Sequence, residues 1–366
     1  MNLELTDEQV ALRDTVRGFL AEKASIAGHV RPLLDDATGT TEQVWQGLAD
    51  LGATGLLVPP EYDGAGMTMV EAGIVGEELG AGLHPGPWLS SAVAAPRALM
   101  RFNVDSDVAA PLLTGIANGS TTVTVGPLDG VRPAAVEHGG GVALRGVIDS
   151  MPDATAADLI LVLADDPEGT SLFAVQTSNR GIEVTPLTGI DQTRKQFRVR
   201  FDDTPAHCLA TASPNAVEAL VDDVVIPWAA DALGAARAIL HLVVEYAKVR
   251  RQFGQPIGAF QAVQHLCVDM YETVELARGG VIHALWAADA ADRAERHSAA
   301  VRAKGFSGRL ASVADTAIQV FGGIGYTWEH DAHLYLKRLL SWSAFLGAPD
   351  HYLVQAGAQF AESVSR

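Results

Sequence analysis

The chain has 366 residues and a formal net charge of −18 at neutral pH. Hydrophobic residues make up 48% of the chain and charged residues 19%, a composition typical of globular rather than disordered proteins. Because 44 acidic residues outnumber 26 basic ones, the composition argues against general nucleic-acid binding, and any anion-binding site must be local.

The apolar runs are shorter than the roughly 20 residues needed to cross a bilayer, so no membrane span is expected. A polar segment follows Met1 directly, without the basic and apolar regions of a secretory signal, and we therefore expect a cytoplasmic protein. The two cysteines, Cys208 and Cys267, provide neither a disulfide framework nor a zinc-binding spacing.

Residues 1–118 are predicted to form an N-terminal helical domain. Thr6 and Gln9 have the spacing of a capping box, which marks the start of a first helix. A later helix is expected from about residue 69 to Leu79, with its end at Gly80.

Residues 119–212 are predicted to form a small antiparallel β domain, because short apolar or alternating runs are separated by Gly and Pro. Helical periodicity returns in residues 213–366, which are expected to form a C-terminal four-helix bundle. Its long helices are predicted over residues 216–250, 257–289, 295–321 and 350–364. The fold class is therefore α+β multidomain, and a doubly wound nucleotide-binding fold is excluded because the strands do not alternate with helices.

Two segments of the predicted C-terminal domain carry long motifs. Arg250 begins the pattern R-x-x-F-G-x-P-I-x-x-F-Q, and Gln319 begins the pattern Q-x-x-G-G-x-G-Y. These patterns, in this order, resemble those of the acyl-CoA dehydrogenase family, and the helical, β, helical order resembles it too. The resemblance covers nearly the whole chain. It implies the acyl-CoA dehydrogenase-like fold, an FAD cofactor and dehydrogenation of a CoA thioester between its α and β carbons.

In the family, these two segments contact the ADP half of FAD across a subunit interface. The resemblance therefore implies the following cofactor-contact residues: Arg250, Gln252, Phe253, Gln261, Gln319, Gly322 and Gly323. The residue types agree with this role, because a guanidinium can fork onto a pyrophosphate and glycine permits close backbone approach. Taken alone, either motif could instead be a solvated helix end or an ordinary helix C-cap.

The family's reaction needs a carboxylate that removes a proton from the carbon next to the thioester. The family's usual glutamate position falls on Leu346, and the alternative position on an earlier helix falls on Val224. No catalytic residue is therefore predicted in this chain. Nearby Asp222 and Asp223 are predicted to be solvated, while Asp231 is expected either to pack between helices or to lie near a site.

The middle domain departs from the family's flavin-binding pattern. Only Pro127 and Gly130 match the family's E-P-G-x-G-S-D loop. The family's W-I-T strand aligns with residues 150–152, where Pro152 has no backbone N–H to donate. We therefore expect that this chain cannot hold an isoalloxazine ring against its own β domain.

These features predict the non-catalytic partner subunit of a heteromeric acyl-CoA dehydrogenase, resembling the α2β2 enzymes of actinobacteria. A catalytic subunit would share FAD with this chain and bind most of the acyl-CoA. The glycine-rich stretch 229–240 is expected to suit helix contact in that assembly.

Segment 330–338 resembles the branch that acts on steroid side chains, and His330 and His333 lack the third partner of a metal site. Two alternatives remain open. One is a flavin-free structural or regulatory paralogue, and the other is a homomeric dehydrogenase with Asp223 or Asp231 as an unconventional base.

Overall fold

The computed structural model describes residues 4–138 and 140–364. The chain divides into two compact units, neither of them continuous in sequence. The helical unit comprises residues up to Gly28, Gly73–His84 and the chain from Val225 onward, and the mixed unit comprises His29–Ala72 and Pro85–Val224. The chain begins with helices, continues with strands and ends with helices, which confirms the predicted order. The exact domain boundaries at residues 118 and 212 stay a prediction.

The helices of the N-terminal part are α1 (Asp7–Lys23), α2 (Glu42–Asp50), α3 (Met69–Ala81), α4 (Ala95–Arg101) and α5 (Ser106–Ala117). The predicted capping box is confirmed, because the Thr6 hydroxyl accepts from the Gln9 N–H and the Thr6 N–H donates to the Gln9 side chain. Helix α3 ends one residue later than predicted.

The strands of the sheet are β1 (Val123–Gly126), β2 (Ala134–His138), β3 (Gly141–Pro152), β4 (Leu159–Asp166), β5 (Gly169–Gln176), β6 (Ile182–Pro186) and β7 (Gln196–Thr211). Their order is β1-β4-β2-β3-β7-β5, with β6 on β7 and β5 also on β4. The β domain is confirmed, but the sheet is mixed rather than wholly antiparallel, because β4 runs parallel to β1 and β2. The continuous burial of Leu159–Ala164 explains the difference, since an unbroken apolar run is compatible with parallel pairing.

The C-terminal helices are α6 (Pro214–Val249), α7 (Gln261–Ala290), α8 (Arg293–Ser307), α9 (Ala311–Phe321), α10 (Ala332–Ala344) and α11 (Pro349–Val364). A short hairpin of β8 (Arg251–Gln252) and β9 (Gln255–Pro256) joins α6 to α7. The predicted helix 295–321 is two helices, because a 3-10 turn interrupts it where a Cβ on Gly308 would collide with Pro349. Helix α10 was not predicted. None of the helices in the described ranges is long and apolar enough to cross a membrane.

Helices α3 and α6 approach each other closely through glycine. A Cβ on Gly80 would collide with the backbone of Asp231, and a Cβ on Gly234 would collide with the Glu77 carbonyl. The glycine-rich stretch 229–240 was expected to contact another subunit, but it makes this close contact within the chain.

Candidate cofactor-contact site

The two family motifs meet at one edge of the helical unit. The Tyr246 ring, one turn before Arg250, lies 5.1 Å from the ring of Phe321, which immediately precedes Gly322. Phe321 in turn packs against His330, with 4.4 Å between ring centroids. This aromatic row fixes the end of α6 beside the end of α9, so segments about 70 residues apart in sequence form one surface.

The first motif continues from α6 into a tight hairpin. The Ile257 N–H donates to the Arg250 carbonyl over 2.8 Å, which closes the loop at its base. At the tip, Phe253 and Gly254 have φ values of +50° and +84°, the left-handed pair of a two-residue hairpin turn. A bulky residue rarely adopts positive φ. This turn holds the Phe253 ring 91% exposed, edge-on to Phe260 at 6.1 Å.

Adjacent arginines in this hairpin have different surroundings. The Arg251 guanidinium donates to the Gly254 carbonyl over 3.1 Å and so stabilises the hairpin. The Arg250 side chain is exposed, and its guanidinium makes no ion pair or hydrogen bond with the residues that the structure describes. The donors of Arg250 are therefore not used by the described residues of the chain.

The second motif is a turn at the end of α9. Gly322 needs its glycine for conformation, because its φ is +65°. Gly325 is closely packed, because a Cβ there would lie 3.0 Å from that of Phe321. At Gly323 neither reason holds, since its φ is not positive and a Cβ would meet nothing within 4 Å. The backbone at Gly323 is open to close approach by another molecule.

The predicted cofactor-contact residues share one property, which is exposure within the chain. The exposed set is Arg250, Gln252, Phe253, Gln261, Gln319, Gly322 and Gly323. They lie in the two motif segments, whose exposed residues we call the motif surface.

The two positions predicted to correspond to the family's base are Leu346 and Val224, and this correspondence stays a prediction. Leu346 has φ +53°, and its carbonyl accepts a 2.6 Å hydrogen bond from the Tyr352 hydroxyl. Its neighbour Phe345 stacks on Trp228 with 4.3 Å between ring centroids and 7° between planes. Val224 is buried. The loop that contains Leu346 is therefore held by aromatic packing and a hydrogen bond.

The prediction that Asp222 and Asp223 are solvated is wrong, because both are buried. The Asp223 carboxylate accepts from both Nε and Nη2 of Arg101, at 2.7 and 3.1 Å. Arg101 lies 122 residues away in sequence, which is why no local pattern pointed to it. Both oxygens of Asp223 are therefore committed to an ion pair.

Asp231 belongs to a second buried ion pair. Its oxygens accept from Nε and Nη2 of Arg338 at 3.0 and 2.8 Å. Arg338 also donates to the His84 carbonyl, over 3.0 Å. Of the two roles expected for Asp231, the structure supports packing, because the pair ties α6 to α10 and to the end of the Gly73–His84 segment.

Residues at the end of β3 and just after it form hydrogen bonds within the mixed unit. The Thr124 hydroxyl donates to the Pro152 carbonyl over 2.7 Å. The next residue, Asp153, accepts a 2.5 Å hydrogen bond from the Ser90 hydroxyl, and both side chains are buried. Lys195 nearby donates to the carbonyls of Leu33 and Leu34, and burial lowers the pKa of its ammonium group.

Lys304 on α8 is a further buried cation that sequence reasoning missed. Its Nζ donates to the Trp342 carbonyl over 2.5 Å and lies 3.8 Å from the centroid of the Trp342 ring. Burial lowers the pKa of Lys304 to about 7. Lys304 lies about one helical turn from Ala300 and from Ser307, which are both buried. This spacing could have indicated that Lys304 is buried too.

The histidines considered as metal ligands have packing contacts instead. The His330 Nδ1 accepts from the Ala332 N–H over 3.1 Å, and its ring packs on Phe321 as described above. The ring of His333 lies edge-on to Trp328, with 4.8 Å between centroids.

A helical domain, a β domain and a C-terminal helical domain with these two motifs define the acyl-CoA dehydrogenase fold. Residues 6–117 match the family model described as acyl-CoA dehydrogenase, N-terminal domain, and residues 226–351 match acyl-CoA dehydrogenase, C-terminal domain. The chain is 32% identical over 358 residues to acyl-CoA dehydrogenase IpdE2 of Mycobacterium tuberculosis, covering 98% of each chain. The chain therefore belongs to the acyl-CoA dehydrogenase family, whose members are FAD-dependent oxidoreductases.

Solved structures with the same fold include heteromeric enzymes. A chain from a variant of the Tcur3481-Tcur3483 steroid acyl-CoA dehydrogenase superposes with a TM-score of 0.88 at 27% identity, covering 98% of this chain and 99% of that one. A chain of the ChsE4-ChsE5 complex from Mycobacterium tuberculosis superposes with a TM-score of 0.89 at 25% identity, covering 99% of each.

Proposed function

We propose that this chain is the non-catalytic subunit of a heteromeric acyl-CoA dehydrogenase and contributes ADP-side contacts to FAD held mainly by a catalytic subunit. The observation that carries the proposal is the exposed, outward-facing motif surface around Arg250. Its donors have no partner among the described residues of the chain, so a ligand from outside can engage them.

The residues present fit the pyrophosphate side of the cofactor. The free guanidinium of Arg250 supplies a fork of donors for a phosphate pair. The open backbone at Gly323 allows a close approach that a side chain would block. The exposed Phe253 ring offers an apolar surface to a cofactor or to the protein around it. Bound FAD would supply the hydride acceptor for the dehydrogenation.

The proton-removing group must come from the other subunit. Leucine and valine occupy the two base positions of this chain. Asp223 and Asp231, the alternative bases, each commit both carboxylate oxygens to an arginine. A carboxylate held in this way is poorly placed to take a proton from a substrate carbon. This supports a non-catalytic role over a homomeric enzyme with an unconventional base.

The assembly and the substrate class rest on the solved relatives. One of them is a steroid acyl-CoA dehydrogenase with two named chains, and another is a complex of two named chains. We infer an α2β2 assembly in the cytoplasm that acts on a CoA thioester, with a steroid side chain as the favoured acyl group, bound mainly by the catalytic subunit.

The first prediction tests this function with the lone chain. Purified alone, it should bind little FAD and should not dehydrogenate acyl-CoA, because neither predicted base position holds an acid and Pro152 provides no donor for the flavin ring. The same chain co-expressed with a glutamate-bearing acyl-CoA dehydrogenase should give a yellow, active complex. Flavin absorbance and turnover measure both outcomes. A yellow and active preparation of the lone chain would refute the proposal.

A further inference from the structure

A groove lies in the mixed unit, between α5 and the sheet. It has a volume of about 390 Å³, which is within the range of small-molecule pockets. Residues of β4, β5 and β7 form its floor, and one side of α5 forms its wall. The motif surface belongs to the helical unit, so the groove is a separate feature of the chain.

The sheet carries apolar side chains on both of its faces at this groove. On β4, Ile160 belongs to the buried core of the sheet and Leu159 lines the groove. On β5, Val175 belongs to the core and Ala174 lines the groove. Successive residues of a strand point to opposite faces, and a sheet face in contact with water usually carries polar side chains. The apolar floor is therefore suited to a bound apolar group.

Helix α5 shows the same pattern. Ala109 and Leu113 lie on its buried side. Val108, Pro111 and Leu112 line the groove and lie within a separate arc of about 100° around the helix. A surface helix usually carries polar residues outside its buried stripe. The wall of the groove is therefore as apolar as its floor.

The groove is uncharged but has polar groups that a ligand can use. Charged residues make up 19% of the chain, yet the described residues that line the groove include none of them. Its polar side chains are those of Gln176, Asn179 and His207. Asn179 donates to the Pro205 carbonyl over 2.9 Å. The side chains of Gln176 and His207 form no hydrogen bond with the residues that the structure describes, so both can bond to a ligand.

These properties favour a small uncharged ligand over the other kinds of occupant. A carboxylate or phosphate would lose its water in the groove without meeting a counter-charge. An extended peptide would find no free strand edge to pair with, because β5 is already paired with β4 on one side and with β7 on the other. An apolar molecule with a hydroxyl or carbonyl group satisfies both the apolar walls and the two free polar side chains.

We propose that the groove between α5 and the sheet binds an uncharged amphiphile. Its apolar body lies between Ala174 of the floor and Val108 of the wall, and its hydroxyl or carbonyl group bonds to Gln176 or His207. This site is independent of the proposed subunit role, because it needs neither FAD nor a partner chain.

The test titrates the full-length chain at pH 8 with Prodan, an uncharged naphthalene ketone that fluoresces in apolar surroundings. The wild-type chain should bind Prodan saturably. Decanol should displace the dye at a concentration at least tenfold lower than decanoate, because only the carboxylate has to bury a charge. Failure of the wild-type chain to bind Prodan, or equal displacement by the alcohol and the carboxylate, would overturn the proposal.

Two variants locate the binding site by filling the groove from opposite sides. Ala174→Phe adds a ring to the floor and Val108→Phe adds one to the wall, and each should raise the dissociation constant of Prodan about tenfold or more. The matched control is Ala134→Phe, at an exposed alanine on β2 outside the groove, which should stay within about twofold of wild type. Thermal midpoints show whether each variant folds, and Val108→Phe decides if Ala174→Phe does not. Equal constants for Val108→Phe and the control would place the dye elsewhere and overturn the proposal.

A third variant tests the polar end of the ligand. Gln176→Leu keeps the apolar surface but removes the amide, so the concentration of decanol needed to displace Prodan should rise about two- to tenfold, as expected for one lost hydrogen bond. If displacement by decanol is unchanged both in this variant and in His207→Leu, the proposed recognition of the hydroxyl group is wrong.

Discussion

Arg250 and Arg251 are neighbours in sequence but differ in what their side chains can do. Arg251 is engaged by the hairpin carbonyl of Gly254, whereas Arg250 is free to bind a ligand. The motif position of Arg250 predicted a cofactor contact. The hairpin explains why the two arginines differ, because it holds the guanidinium of Arg251 but not that of Arg250. An exposed guanidinium without a partner among the described residues is suited to an anion that comes from another molecule.

The second prediction concerns Arg250. In the assembled complex, Arg250→Ala should weaken FAD retention by about one to two decades, because charge-assisted hydrogen bonds to a phosphate are lost. Arg250→Lys should restore only part of the affinity, since an ammonium group cannot present a fork. Titration of FAD into the apo complexes measures the effect. Arg309→Ala, at an exposed arginine on another part of the helical unit, is the control. Equal dissociation constants for Arg250→Ala and the control would show that Arg250 does not touch the cofactor.

The third prediction concerns the buried pair Asp231 and Arg338. Asp231→Asn should lower the free energy of unfolding by about 3–5 kcal/mol, because it leaves a buried guanidinium without its counter-charge. Arg302→Met removes the exposed pair with Glu295 and should cost less than about 1 kcal/mol. Urea denaturation of both variants gives the comparison. A stable Asp231→Asn protein that had lost catalytic activity would instead identify Asp231 as a base.

At the scale of elements, several helix ends are held by side chains from other helices. Lys304 of α8 satisfies a carbonyl at the end of α10, just before the loop that contains Leu346. In the same loop, Phe345 stacks on Trp228 of α6. The loop predicted to correspond to the family's glutamate position is thus held by contacts with α6 and α8.

The fourth prediction is the pH dependence that Lys304 causes. Its pKa is lowered from 10.5 to about 7 by burial, so between these values the unfolded chain binds more protons than the folded one. The contribution of Lys304 to stability should therefore rise with pH from about 7 to 10 and stay constant below 7. The slope is at most about 1.4 kcal/mol per pH unit.

Denaturation midpoints measured at pH 7 and pH 9.5 test this expectation. Lys304→Met should reduce the rise between the two values, whereas Lys248→Met, at an exposed lysine on α6, should keep it. An identical rise in the Lys304→Met protein would show that this ammonium group titrates as it does in water.

At the scale of the whole molecule, the residues that would serve a neighbour under the proposed function and those that would serve the chain itself differ in exposure. The residues of the two motifs are exposed, while Asp223 and Asp231, the acids considered as alternative bases, are buried in ion pairs. We interpret this division as that of a subunit that completes another subunit's site. The net charge of −18 adds a general repulsion between copies of the chain, which favours a less acidic partner.

The sequence by itself determined the order of helical and β regions, the capping box of α1 and the family. These features are local or lie in contiguous motifs, so residue type and spacing are sufficient to predict them. The motifs also indicated Arg250 and Gly323, although not why these residues are free to bind.

Only the tertiary structure decided the partners of charges that are distant in sequence. Asp223 meets Arg101, and Asp231 meets Arg338, across more than 100 residues, so no local pattern could show that these acids are buried and paired. The parallel pairing of β4 and the close contact of α3 with α6 could not be predicted for the same reason. An apolar or acidic residue fits several environments equally well, and only the packing of remote segments selects one of them.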